Sequence, residues 1–140
     1  MDSNLSRFLE AQENTYEVAL SEIKLGKKRS HWMWYIFPQF QGLGFSSTSK
    51  YYAIQDIQEA KNYINHPILG SRLKEITNEL LKLEQTNAIL IFGSPDDLKL
   101  KSCMTLFAQI EESETNLFKE VLIKFFNGDF DNKTLKLIKK

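Results

Sequence analysis

The chain has 140 residues, 42% hydrophobic and 26% charged, which is the composition of one ordinary globular domain. Eighteen basic residues balance eighteen acidic ones, and this neutrality argues against a duplex-DNA-binding protein. No apolar run approaches the roughly 20 residues of a membrane span, and the first residues lack a secretion-signal pattern. The single cysteine, Cys103, allows no intrachain disulfide, as is typical of a reducing compartment. We therefore expect a cytoplasmic protein without membrane association, with residues 1–140 forming one domain.

Helical periodicity begins near the N-terminus. Residues 5–9 and 16–23 place apolar side chains at the i, i+3, i+4, i+7 spacing of amphipathic helices. Gly26 is expected to end the second helix as its C′ residue. Pro38 and the glycines that follow it break the periodicity, which predicts an ordered loop over residues 38–50.

The middle of the chain carries clear helix-boundary signals. Asp56 followed by Glu59 has the spacing of a capping box at a helix start. His66, before a proline, ends that helix and opens the next, so we expect it to have a capping or structural role. The next helix is predicted from an alternating 4-3-4-3 stripe of apolar residues: Leu69, Leu73, Ile76, Leu80 and Leu83.

The C-terminal part is also predicted to be helical. Residues 88–92 have the composition of a buried strand, but no second strand is available for pairing, so we interpret them as a buried helical turn. Ser94 is expected to cap a helix whose first residue is Pro95. Asp131 is expected to cap a last short helix. These signals together predict a mainly α, single compact domain of six or seven helices with little or no sheet.

The segment 27–40, KKRSHWMWYIFPQF, is the strongest candidate for a functional site. Wide rings beside fixed positive charge suit a flat anionic ligand, because rings stack and cations neutralise. Arg29 could bind a phosphate or carboxylate bidentately. His31 could act as a general acid or base, which makes it the candidate catalytic residue. Trp32 and Trp34 are candidate ligand platforms.

Other residues complete the predicted ligand-binding set. Lys28 adds a cation, Gln39 and Tyr52 would be polar or stacking partners, and Lys99 and Ser102 would share one helix face. Structural roles compete with each of these functions. His31 could be a half-buried histidine bonded to a carbonyl, Trp34 could belong to the core, and the cations before Ser30 could be a solvated helix end.

Several strings resemble a family of small bacterial proteins, domain-of-unknown-function family 1810. The similarity is carried by HWMWYIFPQ at 31–39 with GLG at 42–44, HPILG at 66–70, IFGSPD at 91–96 and MTLF at 104–107. The resemblance implies an all-α fold and supplies no established activity. Cys103 departs from the family pattern, where a serine is more usual, and is therefore a poor candidate for an obligate nucleophile.

The favoured hypothesis is a pocket for a small anionic molecule, nucleotide-like or otherwise phosphorylated. Whether catalysis occurs is left open. Group transfer or glycosidic hydrolysis would fit best, since the sequence has no dinucleotide fingerprint, no P-loop spacing and no metal-ligand set, and we expect no cofactor. The alternatives are single-stranded RNA binding and a protein-interaction module that uses the aromatic segment. The sequence does not determine the oligomeric state.

Overall fold

Ten α-helices form the fold of residues 5–139, the part of the chain that the computed structural model describes. They are α1 (Ser6–Gln12), α2 (Tyr16–Lys24), α3 (Met33–Ile36), α4 (Ser47–Tyr51), α5 (Ile57–Asn65), α6 (Leu69–Lys82), α7 (Ala88–Phe92), α8 (Asp96–Ile110), α9 (Leu117–Phe126) and α10 (Asn132–Ile138). Within residues 5–139 there is no strand, and one isolated parallel bridge joins Phe40 to Ile54. The predicted mainly α, single-domain fold is confirmed.

Short helices account for the difference between the six or seven predicted helices and the observed ten. Residues 38–46 form the expected loop, but α4 occupies residues 47–51 because the Ser46 hydroxyl caps it, accepting a hydrogen bond from Ser49 N at 3.1 Å. The helical turn predicted at 88–92 is confirmed as α7, which the Asn87 side chain caps. Helices of one turn are too short to show a hydrophobic period, so caps are their main sequence signal.

Of the four predicted side-chain caps, those at Asp56, His66 and Asp131 are confirmed and that at Ser94 is not. Asp56 Oδ1 accepts from Glu59 N at 2.7 Å, and His66 Nδ1 accepts from the N–H groups of Ile68 and Leu69 at 3.1 and 3.2 Å. The prediction that the Ser94 hydroxyl caps α8 is wrong. The residue at the N-cap position of α8 is Pro95, which follows a cis peptide bond and has no side-chain acceptor, so Ser94 lies one residue outside the helix.

The core is built around α8, which packs against α5, α7, α9 and α10. Four of its side chains, spaced by three, one and three residues, are fully buried: Leu100, Cys103, Met104 and Phe107. Each large apolar side chain buried in this way contributes roughly 1.5–3 kcal/mol to folding. Burial also raises the pKa of the Cys103 thiol, so this cysteine is held in its unreactive protonated form.

A buried ion pair supports the loop beside the clefts described below. Arg7 Nη2 lies 3.0 Å from Glu59 Oε1, and both side chains are less than a tenth exposed. The same guanidinium donates to the carbonyl oxygens of Tyr51 and Ala53, both at 2.8 Å. Helix α1 therefore holds the chain between α4 and α5 in place.

No helix within residues 5–139 combines the length and the hydropathy needed to cross a bilayer.

Candidate functional site

Two adjoining clefts share Trp34 as a lining residue. The first, called here the glutamine cleft, has a volume of about 350 Å³ and is lined by Trp34, Gln39, Phe40, Gln41, Gly42, Gly44, Phe45, Ser49, Lys50, Tyr52, Ala53 and Gln55. The second, called the lysine cleft, has a volume of about 500 Å³ and is lined by Trp34, Gln39, Leu43, Gly44, Phe45, Ser46, Ser49, Pro95, Leu98, Lys99, Ser102, Asp131 and Lys133. Both volumes lie in the range of small-molecule sites.

Helix α3 places Trp34 at the clefts. Met33, Ile36 and Phe37 are spaced by three and four residues and point into the core, where each is at most 2% exposed. Trp34 lies on a different side of this single turn and is half-buried. Its ring is therefore supported by the core while part of its surface faces the clefts.

The loop that completes the shared wall is closely packed. Gln39 O accepts from Ile54 N, and Gln41 N donates to Ile54 O, both at 2.8 Å. A Cβ atom at Gly44 would lie 2.5 Å from Ser49 Cβ, which side-chain rotation cannot move, so this close approach requires glycine. Phe45, next to it, is 85% exposed and offers a free ring at the edge of both clefts.

The glutamine cleft combines aromatic rings with carboxamides. Tyr52 is half-buried, with its ring centroid 5.1 Å from that of Tyr35 and 4.8 Å from that of Tyr51. Burial, followed by the neighbouring Tyr51 and Tyr35, raises the pKa of Tyr52, so its hydroxyl stays neutral and can donate. Gln41 and Gln55, both exposed, add side-chain amides to the wall.

The lysine cleft is charged. Lys99 Nζ lies 5.1 Å from the ring centroid of Trp34 and 3.3 Å from Asp96 Oδ1. Lys133 on α10 adds a second, exposed ammonium. Asp131 contributes the one carboxylate in this lining, and its Oδ2 already accepts from Thr134 N at 3.1 Å as the predicted cap of α10. The lining therefore carries more positive than negative charge.

Ser102 borders the lysine cleft but has little free surface, because it is 2% exposed. Its Oγ lies 3.0 Å from Thr134 Oγ1, and the Thr134 hydroxyl donates to Asp131 Oδ2 at 2.5 Å. The hydroxyl of Ser102 thus connects α8 to α10 and supports the wall of the cleft.

Trp32, predicted as a ligand platform, is fully buried, so that prediction is corrected. Its indole Nε1 donates to Glu22 Oε1 at 2.8 Å, which satisfies the polar edge of a core ring. The same carboxylate accepts from Arg29 N at 2.8 Å and from the Ser30 hydroxyl at 2.6 Å. Burial alone would raise the pKa of Glu22, but these hydrogen bonds from Ser30, Arg29 and Trp32 outweigh it and lower the pKa.

The remaining predicted residues lie outside the clefts. The Lys28 side chain is 8% exposed, and its Nζ lies 2.9 Å from Asp96 Oδ2. Arg29 and His31 are exposed, but neither lines the glutamine cleft or the lysine cleft. Tyr35 Oη donates to the backbone carbonyl of His31 at 3.5 Å. The candidate catalytic histidine and the candidate anion-binding arginine therefore do not line either cleft.

A family model described as "protein of unknown function (DUF1810)" matches residues 2–138. The chain belongs to the DUF1810 family. Its structure is similar to the crystal structure of the conserved hypothetical protein Rv1873 from Mycobacterium tuberculosis, with a TM-score of 0.94 at 40% sequence identity. That similarity covers 98% of this chain and 97% of the mycobacterial chain. No curated protein matches the chain.

Of the residues predicted for this DUF1810 chain, the fold brings five to the clefts: Trp34, Gln39, Tyr52, Lys99 and Ser102. Sequence reasoning missed Phe45, Gln41, Gln55 and Lys133 as lining residues. A signal for the loop was present, because Gly42 and Gly44 precede a run of hydroxyl residues. No sequence pattern indicated Lys133 as a lining residue, because it reaches the cleft only through the packing of α10 on α8.

Within residues 5–139, no three histidine, cysteine, aspartate or glutamate side chains cluster as metal ligands would.

Proposed function

We propose that the protein binds a small anionic molecule that carries a flat ring, nucleotide-like or otherwise phosphorylated, in the two clefts beside Trp34. The observation that carries this proposal is the position of Lys99 in the lysine cleft, where its ammonium lies 5.1 Å from the ring centroid of Trp34, a residue that lines both clefts. A ring surface next to an ammonium group suits a ligand in which a planar group and a negative charge are close together.

The supporting residues differ from the segment that first suggested such a ligand. Of that segment, only Trp34, Gln39 and Phe40 line the clefts. Binding in the clefts would therefore depend on Trp34, Lys99 and Lys133, and His31 has no part in it. The geometry supports binding, and the one carboxylate among the lining residues named above, that of Asp131, already accepts from Thr134 through Oδ2.

The burial of the aromatic segment favours a small ligand over the two alternatives. Trp32, Phe37 and Phe40 are at most 5% exposed, so they cannot form a series of stacking platforms for single-stranded RNA. The same burial removes the continuous apolar face that a protein-interaction module would present.

Tryptophan fluorescence tests the proposal, because Trp32 is buried and only Trp34 borders the clefts. We expect AMP or ADP-ribose to change the emission of the wild-type protein and to leave Trp34→Phe unchanged. Calorimetry should show that Lys99→Met weakens binding by about tenfold, the effect of one charge-assisted hydrogen bond. Lys136→Met, an exposed lysine on α10 outside both clefts, is the matched control. The proposal fails if no phosphorylated ring compound binds, or if Lys99→Met and Lys136→Met behave alike.

A further inference from the structure

The two clefts differ in chemistry although they share a wall. Among the described residues that line the glutamine cleft, Lys50 alone is charged, and the distinctive polar groups are the carboxamides of Gln39, Gln41 and Gln55. The lysine cleft has no carboxamide besides that of the shared Gln39, and its ammonium groups lie on α8 and α10. A ligand that spans both clefts would therefore meet several carboxamides and one ammonium group, that of Lys50, at one end. At the other end it would meet two ammonium groups, those of Lys99 and Lys133.

The carboxamides suit a nucleobase. A glutamine side chain presents a donor and an acceptor side by side, and this pair matches the donor–acceptor edge of a base. Gln55 Nε2 donates to Ala53 O at 2.9 Å, which fixes the amide while its oxygen remains available. The rings of Trp34, Phe45 and Tyr52 in the same lining supply faces on which a base can stack.

The ammonium groups suit a phosphate. Lys133 is exposed on α10, and Lys99 is held by Asp96 at 3.3 Å, so both can approach an anion from different helices. Asp131 is the opposing charge in this cleft, but its Oδ2 accepts two hydrogen bonds from Thr134 and is directed to the start of α10. Phosphate oxygens accept strongly from lysine ammonium groups.

We propose that the clefts are the two ends of one nucleotide site, with the base in the glutamine cleft, the phosphate in the lysine cleft, and the sugar along the wall of Trp34 and Phe45. This orientation rests on the proposed function and adds to it the direction in which the ligand lies. It assigns base recognition to Gln41 and Gln55 and phosphate recognition to Lys133, three residues that are all exposed.

The test compares nucleosides with their 5′-monophosphates. The four common monophosphates are titrated by calorimetry, and the tightest is carried forward with its nucleoside. The dissociation constant of the nucleoside divided by that of the monophosphate measures the contribution of the phosphate to binding. We expect Lys133→Met to reduce this ratio by about tenfold while leaving nucleoside affinity unchanged. We expect Gln55→Leu and Gln41→Leu to weaken nucleoside and monophosphate by the same factor, which leaves the ratio unchanged.

The outcomes separate the two proposals. The orientation alone is overturned if the wild type binds monophosphates through Trp34 and Lys99 but Lys133→Met leaves the ratio at the wild-type value. It is also overturned if Gln55→Leu and Gln41→Leu reduce the ratio. Absence of binding to all monophosphates and to ADP-ribose overturns the proposed function, and the orientation with it. All three residues are exposed, so their substitution leaves the core unchanged, and circular dichroism of each variant checks the fold.

Discussion

Lys28 and Lys99 bind opposite oxygens of one carboxylate, that of Asp96, at 2.9 and 3.3 Å. Each ammonium also lies 5.1 Å from the ring centroid of a different tryptophan, Lys28 over Trp32 and Lys99 over Trp34. Asp96 therefore links the buried tryptophan to the tryptophan at the clefts. Asp96, the first residue of α8, thus pairs with one lysine of its own helix, Lys99, and with Lys28 from the segment before α3.

The two ion pairs of Asp96 should differ in strength because their burial differs. The Lys28 side chain is 8% exposed and that of Lys99 is 26% exposed. In double-mutant cycles of unfolding free energy, we expect a coupling of about 1–3 kcal/mol for Lys28→Met with Asp96→Asn. The cycle of Lys99→Met with Asp96→Asn should give less than about 1 kcal/mol. The Lys82–Glu79 pair, with Lys82 70% exposed, is the control. Equal couplings for both lysines would contradict this prediction.

Glu22 should be the polar residue on which the 29–32 turn depends most. Glu22→Ala removes the acceptor of the Trp32 indole and of two backbone N–H groups, so we expect a loss of about 3–5 kcal/mol in unfolding free energy. Glu22→Gln keeps an acceptor oxygen and should lose only about 1–2 kcal/mol. Ser21→Ala, exposed on the same helix, should stay within about 0.5 kcal/mol of wild type. Denaturant titrations measure all three, and equal losses for Gln and Ala would refute the hydrogen-bonding account.

Acid should weaken the contribution of Glu22. Its folded pKa lies below the ordinary value of 4.5, so the unfolded chain takes up a proton first as the pH falls. The stabilisation is complete above the unfolded pKa and is lost as the pH falls through the folded pKa. We expect the difference in unfolding free energy between wild type and Glu22→Gln to narrow from about pH 6 to about pH 3. Other carboxylates titrate in both proteins and cancel in this difference. A difference that stays constant with pH would contradict the prediction.

Replacing Gly70 by alanine should destabilise the fold, whereas the same replacement at an ordinary helix glycine stabilises it. Replacing glycine by alanine inside a helix usually stabilises by roughly 0.5–1 kcal/mol. At Gly70, however, a Cβ would lie 2.0 Å from the backbone oxygen of Ile64, which cannot rotate away. We expect Gly70→Ala to lower the unfolding free energy by about 2 kcal/mol or more. Asn78→Ala, exposed on α6, should be neutral or stabilising. The packing account is wrong if Gly70→Ala raises the thermal midpoint.

The long helices and their caps could be predicted because their signals are local. The stripe from Leu69 to Leu80 and the caps at Asp56, His66 and Asp131 each depend on residues within a few positions of one another. Glu59, the second residue of the predicted capping box, shows the limit of prediction from local patterns. Its Oε1 accepts from Gln55 N and also pairs with Arg7, which is 52 residues away. A residue predicted from a local pattern thus acquired a second, tertiary role.

The candidate site was predicted less completely because its residues come from separate elements. Trp32 and Trp34 are two positions apart, yet one is buried against Glu22 and the other faces two clefts. From the sequence, either ring could stack on a ligand. Only the direction of the single turn of α3 shows which of the two is exposed to the clefts. Lys99 was predicted on its helix face, but Lys133 was missed because α10 had to pack on α8 before its side chain could reach the same cleft.

From the sequence alone, the helical class, the family resemblance, the main boundaries and the region around Trp34 were accessible, since hydrophobic period and capping act over a few residues. The tertiary structure decided which ring of the aromatic segment faces outward, that His31 and Arg29 lie away from the clefts, and that Gln41, Gln55 and Lys133 line them. These facts depend on how the helices pack against one another in the folded chain. A side chain's exposure is settled by its neighbours in space, which no short stretch of sequence contains.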